Sequence, residues 1–399
     1  MDPHHNPFSP GAGSPPPELA GRGELLTQAD ITLARVKSGR YEQSMLMVGL
    51  RGVGKTVLLN RVREMAVAQG YGVAMIEVTE GRSLAELLVP PLRQVLFQLD
   101  ARADVSEKVK RSLRVLRSFI SALKLKAGDL EFSVSLDPEK GTADSGDLEA
   151  DLSQLLLAVG EAAHDRAGAL AILVDEVQYL TEREMSALIM AIHQVSQHQL
   201  PIVLVGAGLP QLVGLAGRSK SYAERLFRYP PIGALSREDA KEALRGPVMK
   251  QGVAFDEAAL EELARITHGY PYFLQEWGYQ AWNIAPSSPI TLGVVKQASE
   301  MAIKKLDESF FRVRFDRLTP REKDYMRALA ELGPGPHRSG DIADCLGVKV
   351  QSIAPLRSGL IRKGMIYSPA HGDTAFTVPL FDQFMLRTMP AWKSGRRPH

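Results

Sequence analysis

The sequence predicts an α/β chain built on a parallel sheet, followed by a helical segment and a small basic C-terminal domain. Three observations carry this. Four apolar runs, Met45–Val48, Val73–Ile76, Leu170–Val174 and Ile202–Val205, are continuous rather than alternating and are separated by helical segments. That is the pattern of strands buried on both faces of a parallel sheet. A glycine-rich turn ending in Lys-Thr directly follows the first run. After Phe315 the texture changes: residues 306–399 hold 15 Lys+Arg against 10 Asp+Glu, whereas the whole chain balances 48 against 46. The charge excess is therefore local, and the chain as a whole is no polycation built to coat nucleic acid.

The 399 residues suggest two or three domains. With 45% hydrophobic and 24% charged residues, bulk disorder and fibrous classes are excluded. The single cysteine, Cys345, has no partner for a disulfide within the chain, which fits a reducing compartment. The start, Met1-Asp-Pro-His-His, lacks the basic and apolar regions of a secretory signal. The one long apolar stretch, Leu200–Gly217, is interrupted by Pro201, Pro210 and four glycines, so it reads as strand, turn and helix rather than a membrane span. A cytoplasmic protein without membrane contact is expected.

Residues 1–20 are rich in Pro and Gly and read as an extended lead-in, and apolar positions Leu25, Leu26, Ala29, Leu33 and Val36 have helical spacing. Residues 1–40 form the first segment and 41–235 the sheet core. A fifth strand is expected over Tyr229–Leu235, weakened by Pro230 and Pro231. An insertion at 101–147 contains a basic amphipathic helix, Val109–Arg117, and an alternating stretch, Leu130–Leu136. The basic helix suits either a solvated charged face or a phosphate backbone. Residues 236–303 have a helical pattern that opens on Ser236-Arg-Glu-Asp239, a capping-box-like start, and 304–399 form the last domain.

Gly49-Leu-Arg-Gly52-Val53-Gly54-Lys55-Thr56 satisfies G-x-x-x-x-G-K-[ST] between a strand and a helix that begins at Val57. The glycines let successive backbone N–H groups point into one concavity, and the helix N-terminus adds partial positive charge. Lys55 would reach the β- and γ-phosphates of ATP or ADP, and Thr56 would ligate Mg²⁺. The run Ala169–Val174 ends in Asp175-Glu176, two acids at the carboxyl end of a strand, where ligands bind in such sheets. Asp175 would hold Mg²⁺ through water, and Glu176 would orient or deprotonate the attacking water. Acids also suit a first helical turn, and it is the phosphate loop that favours the catalytic reading. The core is thus predicted to be a P-loop NTPase.

The loop, the Val-Asp-Glu strand and Leu19-Ala-Gly-Arg-Gly-Glu-Leu25 together resemble an AAA+-type ATPase of the origin-recognition and STAND group. The resemblance spans about residues 18–290. It implies that Gly21 and Arg22 lie near the adenine, that residues 236–303 form a helical lid, and that Pro271 of His268-Gly-Tyr-Pro271 lies against the nucleotide. It also implies an arginine that reaches a neighbouring subunit's phosphate in the ATP state. Arg228 of Ser221-Tyr-Ala-Glu-Arg225-Leu-Phe-Arg228 is the first choice and Arg225 the second, with an ordinary ion pair as the alternative. Two departures stand out: Val205-Gly-Ala-Gly-Leu-Pro210 lacks a polar γ-phosphate sensor, and no arginine follows Pro271 immediately. Both point to slow hydrolysis.

At the C-terminus, Thr319-Pro320-Arg-Glu322 caps a helix, Ala343 and Gly347 permit close helix crossing, and a further helix is expected over about Gln351–Lys363. Gly364–Tyr367 and Ala375–Val378 make a plausible hairpin. The whole resembles a winged-helix domain. Residues 349–363 offer Arg357, Arg362 and Lys363 for duplex DNA, with packing on protein as the alternative. Three functional readings follow: an ATP switch ATPase touching DNA, a STAND-like signalling adaptor, and a transposition-type DNA-binding helper or regulator.

Overall fold

Each apolar run is a strand, the second only partly buried at the sheet edge. In the computed structural model, β1 is Ser44–Gly49, β2 Tyr71–Glu77, β3 Ala169–Asp175 and β4 Ile202–Gly208, with β3 and β4 buried at every position. The structure describes residues 1–11, 13–100, 106–125 and 137–395. They fall into two compact units: Arg22–Gly49 with Lys55–Ile232, and Met1–Gly21 with Leu50–Gly54 and residues from Gly233 onward.

The first unit is an α/β layer structure. All its strand pairings are parallel, in the order β2-β3-β4-β1-β5, where β5 is Phe227–Arg228. The expected strand Tyr229–Leu235 is corrected: pairing begins at Phe227, and a second short strand, β6 (Pro231–Ile232), pairs with Val48–Gly49. Prolines have no N–H for the ladder, and Pro230 joins it through its carbonyl, which accepts from the Val48 N–H at 3.0 Å. Around the sheet lie α1 (Gly23–Lys37), α2 (Lys55–Ala68), α3 (Leu84–Asp100), α4 (Glu107–Ala122), α5 (Leu148–Asp165), α6 (Glu182–Gln197), α7 (Gln211–Ser219) and α8 (Ala223–Leu226). The basic helix of the insertion, α4, buries Val109, Leu113, Leu116 and Phe119 in the sheet core. Its cations pair within the unit: Arg111 with Glu139 at 2.8 Å and Glu161 at 3.3 Å, and Arg114 with Glu139 at 3.4 Å. The alternating stretch Leu130–Leu136 lies outside the described residues.

The second unit holds α9 (Arg237–Met249), α10 (Glu257–Ile266), α11 (Pro271–Ile284), α12 (Leu292–Lys305), a π-helical turn at Leu306–Phe311, α13 (Arg312–Asp316) and α14 (Pro320–Glu331). Then come β7 (His337–Arg338), α15 (Ser339–Leu346), α16 (Val350–Arg362), β8 (Ile366–Tyr367), β9 (Asp373–Phe376) and α17 (Phe381–Thr388). The Thr319/Glu322 capping box forms as expected, and Ser236 caps α9 by accepting from the Asp239 N–H. Strands β7, β9 and β8 form an antiparallel three-stranded sheet, of which the two-residue β7 has no sequence signature.

Two features of this unit differ from expectation. The lead-in is docked rather than loose: Phe8 is 2% exposed, and the Asn6 amide donates to the Tyr279 carbonyl at 3.0 Å and to Asn283 at 2.8 Å. Gly278 admits the Phe8 ring, since a Cβ there would lie 2.7 Å from it. The helical segment and the C-terminal module also share one apolar core, from Leu244 and Trp277 to Tyr325, Phe381 and Phe384. Phe310 and Phe311 join them: Tyr272 stacks on Phe310 at 4.6 Å, and Phe311 meets Phe384 at 5.3 Å. The boundary at 303/304 is therefore not a core boundary.

Candidate nucleotide site

The loop Gly49–Gly54 is built from a buried strand and a helix that starts at Lys55. Gly52 and Gly54 sit at φ +81° and +90°, a left-handed backbone that other residues rarely adopt. A Cβ on Gly54 would meet nothing within 4 Å, so the loop faces open space there. Lys55 is only 7% exposed and begins α2, where N–H groups lack helical acceptors.

Thr56 and Asp175 meet directly, the hydroxyl donating to the carboxylate at 2.6 Å. Thr56 lies in α2, which follows β1, and Asp175 ends β3; β4 lies between those two strands. The end of β4 is Gly206-Ala207-Gly208, which presents almost no side chain at that level. Asp175 is 5% exposed, and its other oxygen accepts from the Glu176 N–H at 2.8 Å. Burial pushes its carboxyl above the ordinary range, against the opposing pull of the Thr56 and Glu176 bonds. A half-buried hydroxyl and a buried carboxylate in contact are hard oxygen donors that fit Mg²⁺, which takes few protein ligands and keeps phosphate oxygens and water. Among the described residues, no cluster of three His, Cys, Asp or Glu side chains forms a separate metal site.

Glu176 follows Asp175 in a left-handed conformation, φ 54° and ψ 38°, and opens a 3₁₀ turn, Val177–Tyr179. The Gln178 amide donates to the Glu176 carboxylate. Gln178 was not singled out by the sequence; its signal is a polar residue two places beyond the Asp-Glu pair, opposite a strand that ends in glycines.

Residues 18–205 match the model of the AAA ATPase domain family. The chain carries an AAA ATPase domain. Residues 308–385 match a second family, described as a domain of unknown function (DUF8462). No curated protein matches the chain in sequence. Among solved structures, the Walker-type ATPase PABY2304 of Pyrococcus abyssi is similar over 92% of this chain and 96% of its own, at 17% identity and a TM-score of 0.55. Cdc6p of Pyrobaculum aerophilum covers 98% of both chains at 14% identity, with a TM-score of 0.47. The first likeness is one of fold. The AAA domain is thus a nucleotide-binding ATPase module on a parallel sheet. No helix among the described residues is long and apolar enough to cross a membrane.

The remaining expected residues of the AAA domain and its neighbours are placed as follows. Gly21 has φ +67°, and a Cβ there would lie 2.7 Å from the Asp239 carboxylate, so the position requires glycine. Arg22 precedes α1 as its N-cap residue. Pro271 is the first residue of α11, after the left-handed pair His268 and Gly269. The next N–H, of Tyr272, donates to the Gly52 carbonyl at 3.2 Å, and the Arg51 N–H donates to the Thr377 carbonyl at 3.2 Å. The Arg51 side chain also donates to the Gly364 carbonyl at 3.4 Å. Residues 50–54 therefore belong to the unit of the helical segment and the hairpin, a grouping with no signature in the motif.

Arg228 does not join the phosphate site of its own chain. It lies in β5 opposite Met45, at the amino-terminal end of β1, pairs with Glu42 and donates to Gln43 at 3.2 Å. Arg225 lines a separate cavity of about 370 Å³ with Tyr41, His193 and Tyr222.

The C-terminal cations are placed differently from a DNA-facing set. Arg357 donates to the Thr374 hydroxyl at 2.9 Å and to Ser368 and the Asp373 carbonyl at 2.7 Å each. Lys363 donates to Glu322 at 2.7 Å and to the Arg317 carbonyl at 3.2 Å. Arg362 remains exposed. Two of the three cations offered for duplex DNA thus make internal bonds, because α16 packs against the hairpin and α14.

Proposed function

We propose that the chain is an ATP-dependent switch that binds Mg·ATP at Gly49–Val57, hydrolyses it slowly and reads its nucleotide state out through the helical lid and a winged-helix-like C-terminal module. The observation that supports the reading is the Thr56–Asp175 bond at 2.6 Å, a contact between the two groups that the reading assigns to the metal. In this reading the N–H groups of Gly52 to Val57 and the Lys55 ammonium bind the phosphates. Gly21, Arg22 and Pro271 contribute to nucleotide binding, as the family resemblance suggests. Thr56 and Asp175 hold Mg²⁺, which when bound offsets negative charge on the phosphoryl oxygens. Glu176 orients the attacking water and accepts its proton.

The bonds of Arg51 and Gly52 with Thr377 and Tyr272 favour read-out by packing on protein over read-out by DNA. A change in the loop would reach α11 through Tyr272, and the C-terminal core through Phe310 and Phe311. Slow turnover is supported by the non-polar end of β4. Self-association through Arg228 in the ATP state would require its Glu42 pair to open.

Titration of Mg·ATP into the parent and Lys55→Ala tests the reading. Loss of a charge-assisted phosphate contact should weaken affinity by about 100-fold or more. Equal affinity would remove Lys55, and with it the phosphate site, from the account.

A further inference from the structure

The end of β4 carries no polar side chain, yet the space beside it is filled. Gln178, in the turn after β3, occupies it with one side chain used at both ends. Its Oε1 accepts from the Leu209 N–H at 2.9 Å, and its Nε2 donates to the Glu176 carboxylate. The orientation of the amide is fixed by its partners, since a backbone N–H only donates and a carboxylate only accepts. The glycines of β4 make room for this turn. A Cβ on Gly208 would lie 2.8 Å from the Gln178 Oε1, and one on Gly206 would lie 2.6 Å from Leu46 and 3.0 Å from Val177. A larger polar residue at either place would displace the turn that carries Gln178.

We infer that Gln178 is the positioning residue for Glu176, linking its carboxylate to the end of β4. The inference rests on Glu176 acting on the attacking water. Glu176 is half-buried and leaves the strand in a left-handed backbone conformation, and the Gln178 amide bonds its carboxylate there. One carboxylate oxygen accepts from Gln178. Because the Gln178 oxygen is held by Leu209, movement at the end of β4 alters the aim of Glu176. The strand thus acts on the water through Gln178 rather than through a side chain of its own.

Gln178→Glu separates the two bonds. It keeps an acceptor for the Leu209 N–H but removes the donor to Glu176 and sets a like charge against it. Steady-state and single-turnover hydrolysis of Mg·ATP, with nucleotide affinity measured on the same samples, should show kcat lowered about 10- to 100-fold, as misplacement of a reacting group costs. Affinity and KM should stay at parental values. In Glu176→Gln the further change Gln178→Glu should have no additional effect, since there is no base left to position. If Gln178→Glu lowers the melting temperature, Gln178→Met, uncharged and similar in size, is read by the same split between kcat and KM. Parental kcat in the folded Gln178 variants, with Glu176→Gln strongly impaired, would overturn the inference and leave the role of Glu176 standing. Parental kcat in Glu176→Gln would overturn the role of Glu176 itself.

Discussion

In the AAA domain, Thr56 at the start of α2 and Asp175 at the end of β3 meet through one hydrogen bond, whereas in the C-terminal module Arg357 and Lys363 spend their donors on partners of the same chain. Both regions were singled out by charged residues at suggestive spacing. They differ in what fixes those residues. A phosphate loop is a backbone device: its glycines, strand and helix dictate where Lys55 and Thr56 lie. A basic stretch on a helix dictates nothing about its partner, since an arginine donates to carbonyls and hydroxyls of its own chain and also to phosphates.

The largest effect that sharpens this contrast is on stability. Arg357→Ala removes three hydrogen bonds and leaves the fully buried Thr374 with fewer partners, so the C-terminal module should lose about 2 kcal/mol. Denaturant unfolding should show the loss. An unchanged midpoint would mean that Arg357 is not structural.

A smaller effect is expected at Glu322. Burial raises its carboxyl, but the Lys363 bond and the Thr319 bonds together outweigh this and hold it below the ordinary carboxylate range. A depressed folded-state value gives stability that is present above about pH 4.3, the unfolded value, and is lost as pH falls through the folded one. Glu322→Gln should therefore be less stable than the parent at neutral pH, and the gap should close in acid. A gap independent of pH in thermal melts would contradict the pairing with Lys363.

The smallest effect is on DNA. Lys363, although exposed, pairs with Glu322; Lys349 and Arg362 are the other exposed cations of residues 349–363. Replacing both by alanine should leave duplex binding at low salt unchanged, and the slope of affinity against salt should not move. A slope lowered by about two would restore the DNA-facing reading of α16.

Much of this was legible in the sequence because the relevant physics is local. Continuous apolar runs marked the four main strands, and the loop with its Asp-Glu partner marked the Thr56–Asp175 pair. The fifth strand differs from its sequence pattern because Pro230 enters the ladder through its carbonyl alone. α3 runs through Pro90 and Pro91, where a break would be expected locally, because Leu88, Leu92 and Leu96 are fully buried around them. The docked lead-in, the Gln178 bridge and the bonds of Arg51 and Gly52 were hidden for another reason. Each joins residues remote in sequence, in several cases through main-chain atoms, and main-chain atoms leave no mark on residue identity.

The most direct measurement is single-turnover hydrolysis of Mg·ATP by the parent and Glu176→Gln at saturating nucleotide, with affinity measured on the same preparations. The account predicts parental affinity in the variant and a rate lower by about 100-fold or more, the loss of a general base. Equal rates with intact binding would contradict it.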